Sequence, residues 1–274
     1  MFISPMLLHK SDEPFDSLDY ITELKLDGIR LIYSVDATGK VRLYSRHNNE
    51  ITAKFPELHS LNLPPGTVLD GELIVTDNEG KPDFEAMMSR FQSSKSTAPV
   101  SFVAFDVLQH GGERVTSIPL LERKELLADL VPTDSALLSK VQFVEGHGAA
   151  YYNAVQAQGL EGIVLKRKDS RYQVGKRSDA WLKVINYQYA DVYVTGYRKQ
   201  PKDFGWLLAD NDGRYMGVME IGVPPHAKAK IYRAEVREET EDFAYLANPV
   251  KCRVKFRNYT KAGLLRLPSF VEWV

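Results

Sequence analysis

Along the first two thirds of the chain, short apolar runs alternate with longer amphipathic ones. YITELKL (20–26), TVLDGELIV (67–75), SFVAFDVL (101–108) and GIVLK (162–166) are β-branched or aromatic and bounded by Gly, Pro or Asn, which is the pattern of strands. Between them, Pro119 to Leu130 reads as a helix with proline near its first turn. A second helix is expected over 149–158, ending at Gly159. This part is mixed α/β. After about Tyr187 the pattern changes to short strands: VYVTGY (192–197), GWLLAD (205–210), RYMGVMEIG (214–222), KCRVKFRNY (251–259) and SFVEWV (269–274). Turn residues such as Asn211-Asp212-Gly213 separate them, and one amphipathic helix is expected around 225–237. Several short strands with a single helix suit a small β-barrel, with an OB-fold the best match. The pattern thus predicts two domains, 1–187 and 188–274.

Composition narrows the class. A chain of 274 residues with 44% apolar and 26% charged positions is too rich in hydrophobes for a disordered protein. No apolar run approaches the roughly 20 residues that cross a bilayer. The opening MFISPMLLHK has a proline inside its apolar run and no basic residue ahead of it. Neither a membrane span nor a signal peptide is expected, and the location expected is cytoplasmic. The single Cys252 excludes an internal disulfide and a multi-thiolate zinc site. A formal charge of −1 advertises no nucleic-acid partner, but its distribution is uneven. Between 166 and 183, seven basic residues meet two acidic ones, and between 251 and 266 six basic residues meet none.

Candidate chemistry concentrates in Glu23-Leu-Lys25-Leu-Asp27-Gly28-Ile-Arg30. In an extended strand Glu23, Lys25 and Asp27 share one face, while Leu24 and Leu26 point into the core. A lysine so placed is a candidate nucleophile. An amine attacks phosphorus only when neutral, which desolvation, Arg30 or a metal would favour and the carboxylates oppose. Gly28 permits a turn that brings Arg30 back towards a bound nucleotide. Taken alone, the segment reads more readily as a surface strand with a Glu–Lys–Asp ladder ending in a Gly turn than as a catalytic one. In strand 101–108, Phe102 and Phe105 fall on opposite faces. In Lys251-Cys-Arg253-Val-Lys255-Phe-Arg257 the cations alternate with Cys252, Val254 and Phe256, so a strand would present a basic row on one face. The row suits a duplex backbone, and it equally suits the wet face of an edge strand.

Lys25-Leu-Asp27-Gly28-Ile-Arg30 resembles the KxDGxR signature of covalent nucleotidyltransferases, which include DNA ligases, RNA ligases and capping enzymes. Further motifs follow in the family's order: Ser45-Arg46-His47-Asn48, Asp70-Gly71-Glu72, Phe102-Val-Ala-Phe105-Asp106, Glu161-Gly162-Ile-Val-Leu-Lys166 and Trp181-Leu-Lys183. The opening Ser4-Pro5-Met6-Leu7 and the closing Gly263-Leu-Leu-Arg266-Leu-Pro268 are similar to those of compact bacterial and phage ATP-dependent DNA ligases. The resemblance implies an α+β, ATP-grasp-like nucleotidyltransferase domain followed by an OB-fold domain. It also implies an enzyme that seals 5′-phosphate/3′-hydroxyl nicks through lysyl–AMP and adenylylated DNA. On that reading Lys25 is the nucleophile, and Asp27, Arg30, Lys166 and Lys183 belong to the ATP site. Glu23 accepts from the adenine amino group and Phe105 stacks on the base. Glu72 and Glu161 suit Mg²⁺, with Mn²⁺ able to substitute, or hydrogen-bond the ribose.

The same resemblance has Arg266 orienting the pyrophosphate and Arg46 contacting the phosphate at the nick. Arg167, Lys168, Arg171, Lys176 and Arg177 form a phosphate track, and Lys251, Arg253, Lys255 and Arg257 grip the duplex. The implied partner is nicked double-stranded DNA, bound by a monomer, and replication, recombination and repair are all compatible duties. Two departures stand out. Ile185 replaces the second lysine common after the WxK motif, and the sequence reaches Val274 without the charged tail common in the last motif. A capping-type guanylyltransferase, an RNA ligase and a catalytically idle end-binding module remain alternatives at this point.

Overall fold

The computed structural model describes residues 1–93, 95–200 and 203–274. Its contacts divide the chain into two compact units, Met1–Ile185 and Asn186–Val274.

The first unit is built on two sheets. One has five strands in the order Leu7–Lys10, Arg177–Ile185, Gly162–Arg167, Tyr20–Leu24, Phe143–Glu145. The other runs Val41–Ser45, Ile29–Val35, Val68–Ile74, Ser101–His110, Glu113–Arg114, and Leu138–Lys140 pairs in parallel with Ser101–His110. Strand alternation explains how both faces of the second sheet are filled. Leu31, Tyr33 and Val35 enter one core with Leu69, Leu73 and Phe102, while Ile32 points the other way. It joins Met6, Ile21, Val68, Leu108 and Trp181, which come from both sheets. The helix Leu120–Leu130 follows Pro119, and Gly148–Ala157 stops just short of Gly159, much as proline and glycine suggested.

The strand expected over 20–26 ends at Leu24. The reason is topological: residues 25–28 carry the chain from the five-stranded sheet to the other sheet, which it enters at Ile29. Only the Lys25 amide continues the old ladder, donating to Gly162 O at 2.9 Å. The expected shared face of Glu23, Lys25 and Asp27 is therefore broken. Glu23 is buried, whereas Lys25 and Asp27 are half-buried on the crossing segment. Leu24 and Leu26 pack against two different clusters. Gly28 is needed for space, not for a turn: a Cβ there would lie 2.3 Å from Leu73 O.

The second unit is a six-stranded antiparallel sheet in the order Tyr215–Met219, Trp206–Ala209, Gln188–Arg198, Phe243–Phe256, Val236–Glu239. Ser269–Trp273 also pairs with the long strand Phe243–Phe256, and an isolated parallel bridge joins Ile221 to Ser269. Its core gathers Val192, Trp206, Leu208, Ile231, Cys252, Val254 and Phe256. The alternation in 251–257 therefore places Cys252, Val254 and Phe256 inward. This strand has neighbours on both sides, which removes the edge-strand reading. The helix expected over 225–237 spans only Pro225–Tyr232. Val236–Glu239 pairs with Phe243–Phe256 instead, so tertiary pairing overrides the helix preference of a Glu-rich segment. Among the described residues no helix is long and apolar enough to cross a membrane.

Candidate active site

Within the first unit a cleft of about 670 Å³ is lined by Glu23, Lys25, Asp27, Arg30, Arg46, Glu72, Phe105, Glu161, Lys166, Arg177 and Lys183, among others. The sheets explain this gathering. Gly162 accepts from the Lys25 amide, so the residue before it, Glu161, falls beside Lys25. Lys25 Nζ lies 2.7 Å from Glu161 Oε2. Gly162 has φ +142°, and a Cβ there would sit 2.1 Å from Val184 O, so the glycine after Glu161 is sterically required. Lys183 is paired opposite Val164, two residues from Lys166, so both lysines rise from the same sheet face. Ile185, where a second lysine was looked for, is buried opposite Gly162.

Glu72 is half-buried on the neighbouring sheet. Burial pushes its carboxyl up to about 7, against the pull of Lys25 and Arg30, and Glu161 adds to the rise. Among the described residues no group of three or more His, Cys, Asp or Glu could hold a metal. A hard cation that keeps several waters and shares phosphate oxygens needs only one or two carboxylates, and Glu72 and Glu161 line the same cleft. The donor set fits a metal held jointly with a phosphate ligand.

Arg30 departs from expectation. Its Nε and Nη2 both donate to the Asp70 carboxylate at 2.6 Å, and Nη2 also reaches Met6 O at 3.1 Å. Asp70 is fully buried and accepts as well from Tyr172 Oη at 2.5 Å. Burial opposes the guanidinium charge, but Asp70 outweighs it and holds Arg30 firmly protonated. Arg30 is thus fixed by a buried pair, not brought round by a turn at Gly28. Its guanidinium carbon lies 4.7 Å from the Phe105 ring centroid. Phe105 and Phe102 do face opposite ways: Phe102 is in the core, while Phe105 lines the cleft.

Glu23 is held by two lysines, with Lys124 Nζ on Oε1 and Lys166 Nζ 2.5 Å from Oε2. Lys166 also stands 4.4 Å from the Phe105 centroid and 4.1 Å from that of Trp181. Burial lowers the Lys166 ammonium to about 8, opposed by Glu23 and reinforced by Lys124. Asp106 proves structural: Arg123 donates to both its oxygens at 2.7 and 2.9 Å. Arg123 and Lys124 escaped the sequence reading, although a signal was present. Leu120, Arg123, Lys124 and Leu127 follow the i, i+3, i+4, i+7 spacing of a buried helix stripe, so two cations interrupt an apolar face.

The basic candidates divide. Arg46 is exposed on the turn before Asn48 (φ 63°) and lines the cleft, as does Arg177, whose guanidinium donates to Leu8 O. Arg167, Lys168, Arg171 and Lys176 are not among the lining residues. Arg167 pairs with Asp169 at 2.8 Å and Lys168 with Glu145. In the second unit, Lys251 and Arg253 share Asp191 at 3.5 and 2.9 Å. Lys255 and Arg257 lie over the Tyr187 ring at 5.1 and 5.4 Å. Arg266 also belongs to the second unit, where it donates to Asn258 Oδ1 at 3.3 Å.

Comparison with known proteins adds a second line of observation. A family model described as the ATP dependent DNA ligase domain matches residues 5–184. A SPbeta prophage-derived DNA ligase-like protein of Bacillus subtilis is 47% identical over 275 residues, covering 100% of this chain and 99% of that protein. A multifunctional non-homologous end joining DNA repair protein of Mycobacterium tuberculosis is 32% identical over 228 residues. That match spans 81% of this chain but only 28% of the mycobacterial protein. Among solved structures, a mycobacterial DNA ligase D complexed with ATP and MES superposes with a TM-score of 0.64 at 26% identity. It covers 99% of this chain and 95% of that one.

Proposed function

Because the chain belongs to the family of ATP-dependent DNA ligases, we propose that it seals nicked duplex DNA in three displacements at phosphorus, the first made by Lys25. The observation that carries this reading is the Lys25–Glu161 pair at 2.7 Å, set in a cleft with Glu72, Phe105, Lys166 and Lys183.

Lys25 Nζ must lose a proton before it can attack, and Glu161 is within transfer distance. The amine then bonds to the α-phosphorus of ATP while the bond to the bridging oxygen breaks and pyrophosphate leaves. In the second step an oxygen of the DNA 5′-phosphate displaces Lys25 and takes up AMP. In the third the 3′-hydroxyl attacks that phosphate and AMP departs. Each step concerns polyanionic phosphorus, so positioning and charge neutralisation supply most of the acceleration. Lys166 and Lys183 serve the phosphates, Phe105 stacks on adenine, and Asp27 and Glu23 complete the nucleotide site. Arg30 acts by holding Phe105, which it reaches while bound to Asp70.

Glu72 and Glu161 would hold Mg²⁺, which neutralises phosphate charge when bound. Protonation of Glu72 near pH 7 would compete with that role. We read the second unit as an OB-fold whose basic row meets the DNA backbone, with Arg266 orienting the pyrophosphate. Arg46 and Arg177 at the cleft, with Arg167, Lys168, Arg171 and Lys176 beyond it, extend the phosphate contacts. The protein then works as a cytoplasmic monomer on nicked duplex DNA.

The reading is tested by incubating the protein with Mg²⁺ and labelled ATP or GTP, then with a nicked duplex. ATP should label the chain and GTP should not, and the nick should close. Labelling by GTP alone would point to a capping-type enzyme, and no labelling at all to an idle binder.

A further inference from the structure

Helix Leu120–Leu130 sends two adjacent cations inward, and only one of them is matched. Arg123 has both oxygens of Asp106. Lys124 has only one oxygen of Glu23, because Lys166 occupies the other. Two ammonium groups therefore share one carboxylate, and all three side chains are at most 5% exposed. The remaining charged groups nearby do not correct the imbalance. Asp106 attracts Lys166 but is already paired with Arg123, and Arg30, on the same Phe105 ring, is paired with Asp70. The Tyr151 phenol feels Glu23, but burial first and then that carboxylate keep it protonated. A buried cluster with one excess positive charge is costly unless an anion completes it.

The three residues are not equivalent. Glu23 and Lys166 line the cleft, whereas Lys124 does not; its ammonium lies 5.7 Å from the Phe143 ring centroid. We propose that Lys124 is a positioning residue for the nucleotide phosphates: by engaging one oxygen of Glu23 it stops that carboxylate from neutralising Lys166, which stays a net cation towards ATP. Glu23 is also fixed in orientation, leaving its remaining lone pairs for the base. The inference rests on the adenylylation reading and deepens it.

The test follows single-turnover self-adenylylation of the full chain against ATP concentration, with thermal unfolding recorded for each variant. Lys124→Met leaves Glu23 and Lys166 as a neutral pair, so no buried charge is stranded. It should raise the half-saturating ATP concentration about tenfold, while the rate at saturation changes less than about threefold. A merely structural role would lower the thermal midpoint and the saturating rate together, without a selective rise in half-saturation. Lys124→Arg should stay within about threefold of wild type. The proposal is overturned by an unchanged half-saturation in Lys124→Met, by a saturating rate that falls as far as half-saturation rises, or by a tenfold loss in Lys124→Arg. An unlabelled wild type would instead remove the adenylylation reading and this inference with it.

Discussion

The two units use charge in opposite ways. In the first, Arg30–Asp70, Arg123–Asp106, Lys25–Glu161 and the Glu23 cluster face inward, and several are almost wholly removed from water. In the second, the core is apolar and aromatic around Trp206, while Lys251, Arg253 and Lys255 alternate on the outer face of Phe243–Phe256, Arg253 exposed and the other two half-buried, and Arg257 follows just past the strand's end. Removing charge from water is expensive and is tolerated where each group is paired and held in one place. Such groups suit chemistry at a defined atom. Exposed cations are cheap, mobile and screened by salt, so they suit contact with a long uniform polyanion. On the function proposed above, catalysis would fall to the inward charges of the first unit and backbone grip to the outward charges of the second.

Breaking an inward pair should have the largest effect. Asp106→Ala strands a fully buried Arg123 guanidinium and should cost about 3–5 kcal/mol in chemical denaturation. A loss below about 1 kcal/mol would mean that water reaches that pair. Next comes the basic row. Lys255→Ala with Arg257→Ala should lower the slope of log affinity against log salt by about 1.8 while leaving self-adenylylation intact. An unchanged slope would take these two cations off the DNA. A third test concerns pH. The Glu72 carboxyl at about 7, against an ordinary 4.5, keeps a proton in the folded protein that the unfolded chain releases. Stability of the ligand-free protein should therefore fall between about pH 4.5 and 7, and Glu72→Gln should flatten that fall, by about 1–2 kcal/mol after allowance for partial exposure. The smallest change should come from Arg253→Ala, which loses an exposed, salt-screened pair with Asp191, so the denaturant midpoint should not move measurably.

What the chain discloses before folding follows the range of the interactions involved. Strand alternation is local, so the basic row opposite Cys252, Val254 and Phe256 could be read directly. The succession of motifs from Lys25 to Lys183 pointed to one site, and eleven of the candidates line one cleft. The end of the strand at Leu24 could not be read, because it depends on which sheet Ile29 joins. The helix end at Tyr232 likewise depends on a partner strand beyond residue 242. Lys124 is a subtler case. Its place on a buried stripe was visible, but its partner Glu23 lies about a hundred positions earlier and is brought near only by packing.

The central claim is a covalent bond between Lys25 Nζ and phosphorus. Intact-mass measurement of the protein after incubation with ATP and Mg²⁺, beside the Lys25→Ala variant, reads that bond directly. One added AMP on the wild-type chain, removed by acid and absent from the variant, is the predicted result. An AMP adduct that persists in Lys25→Ala, or none on a folded wild-type chain, would contradict it.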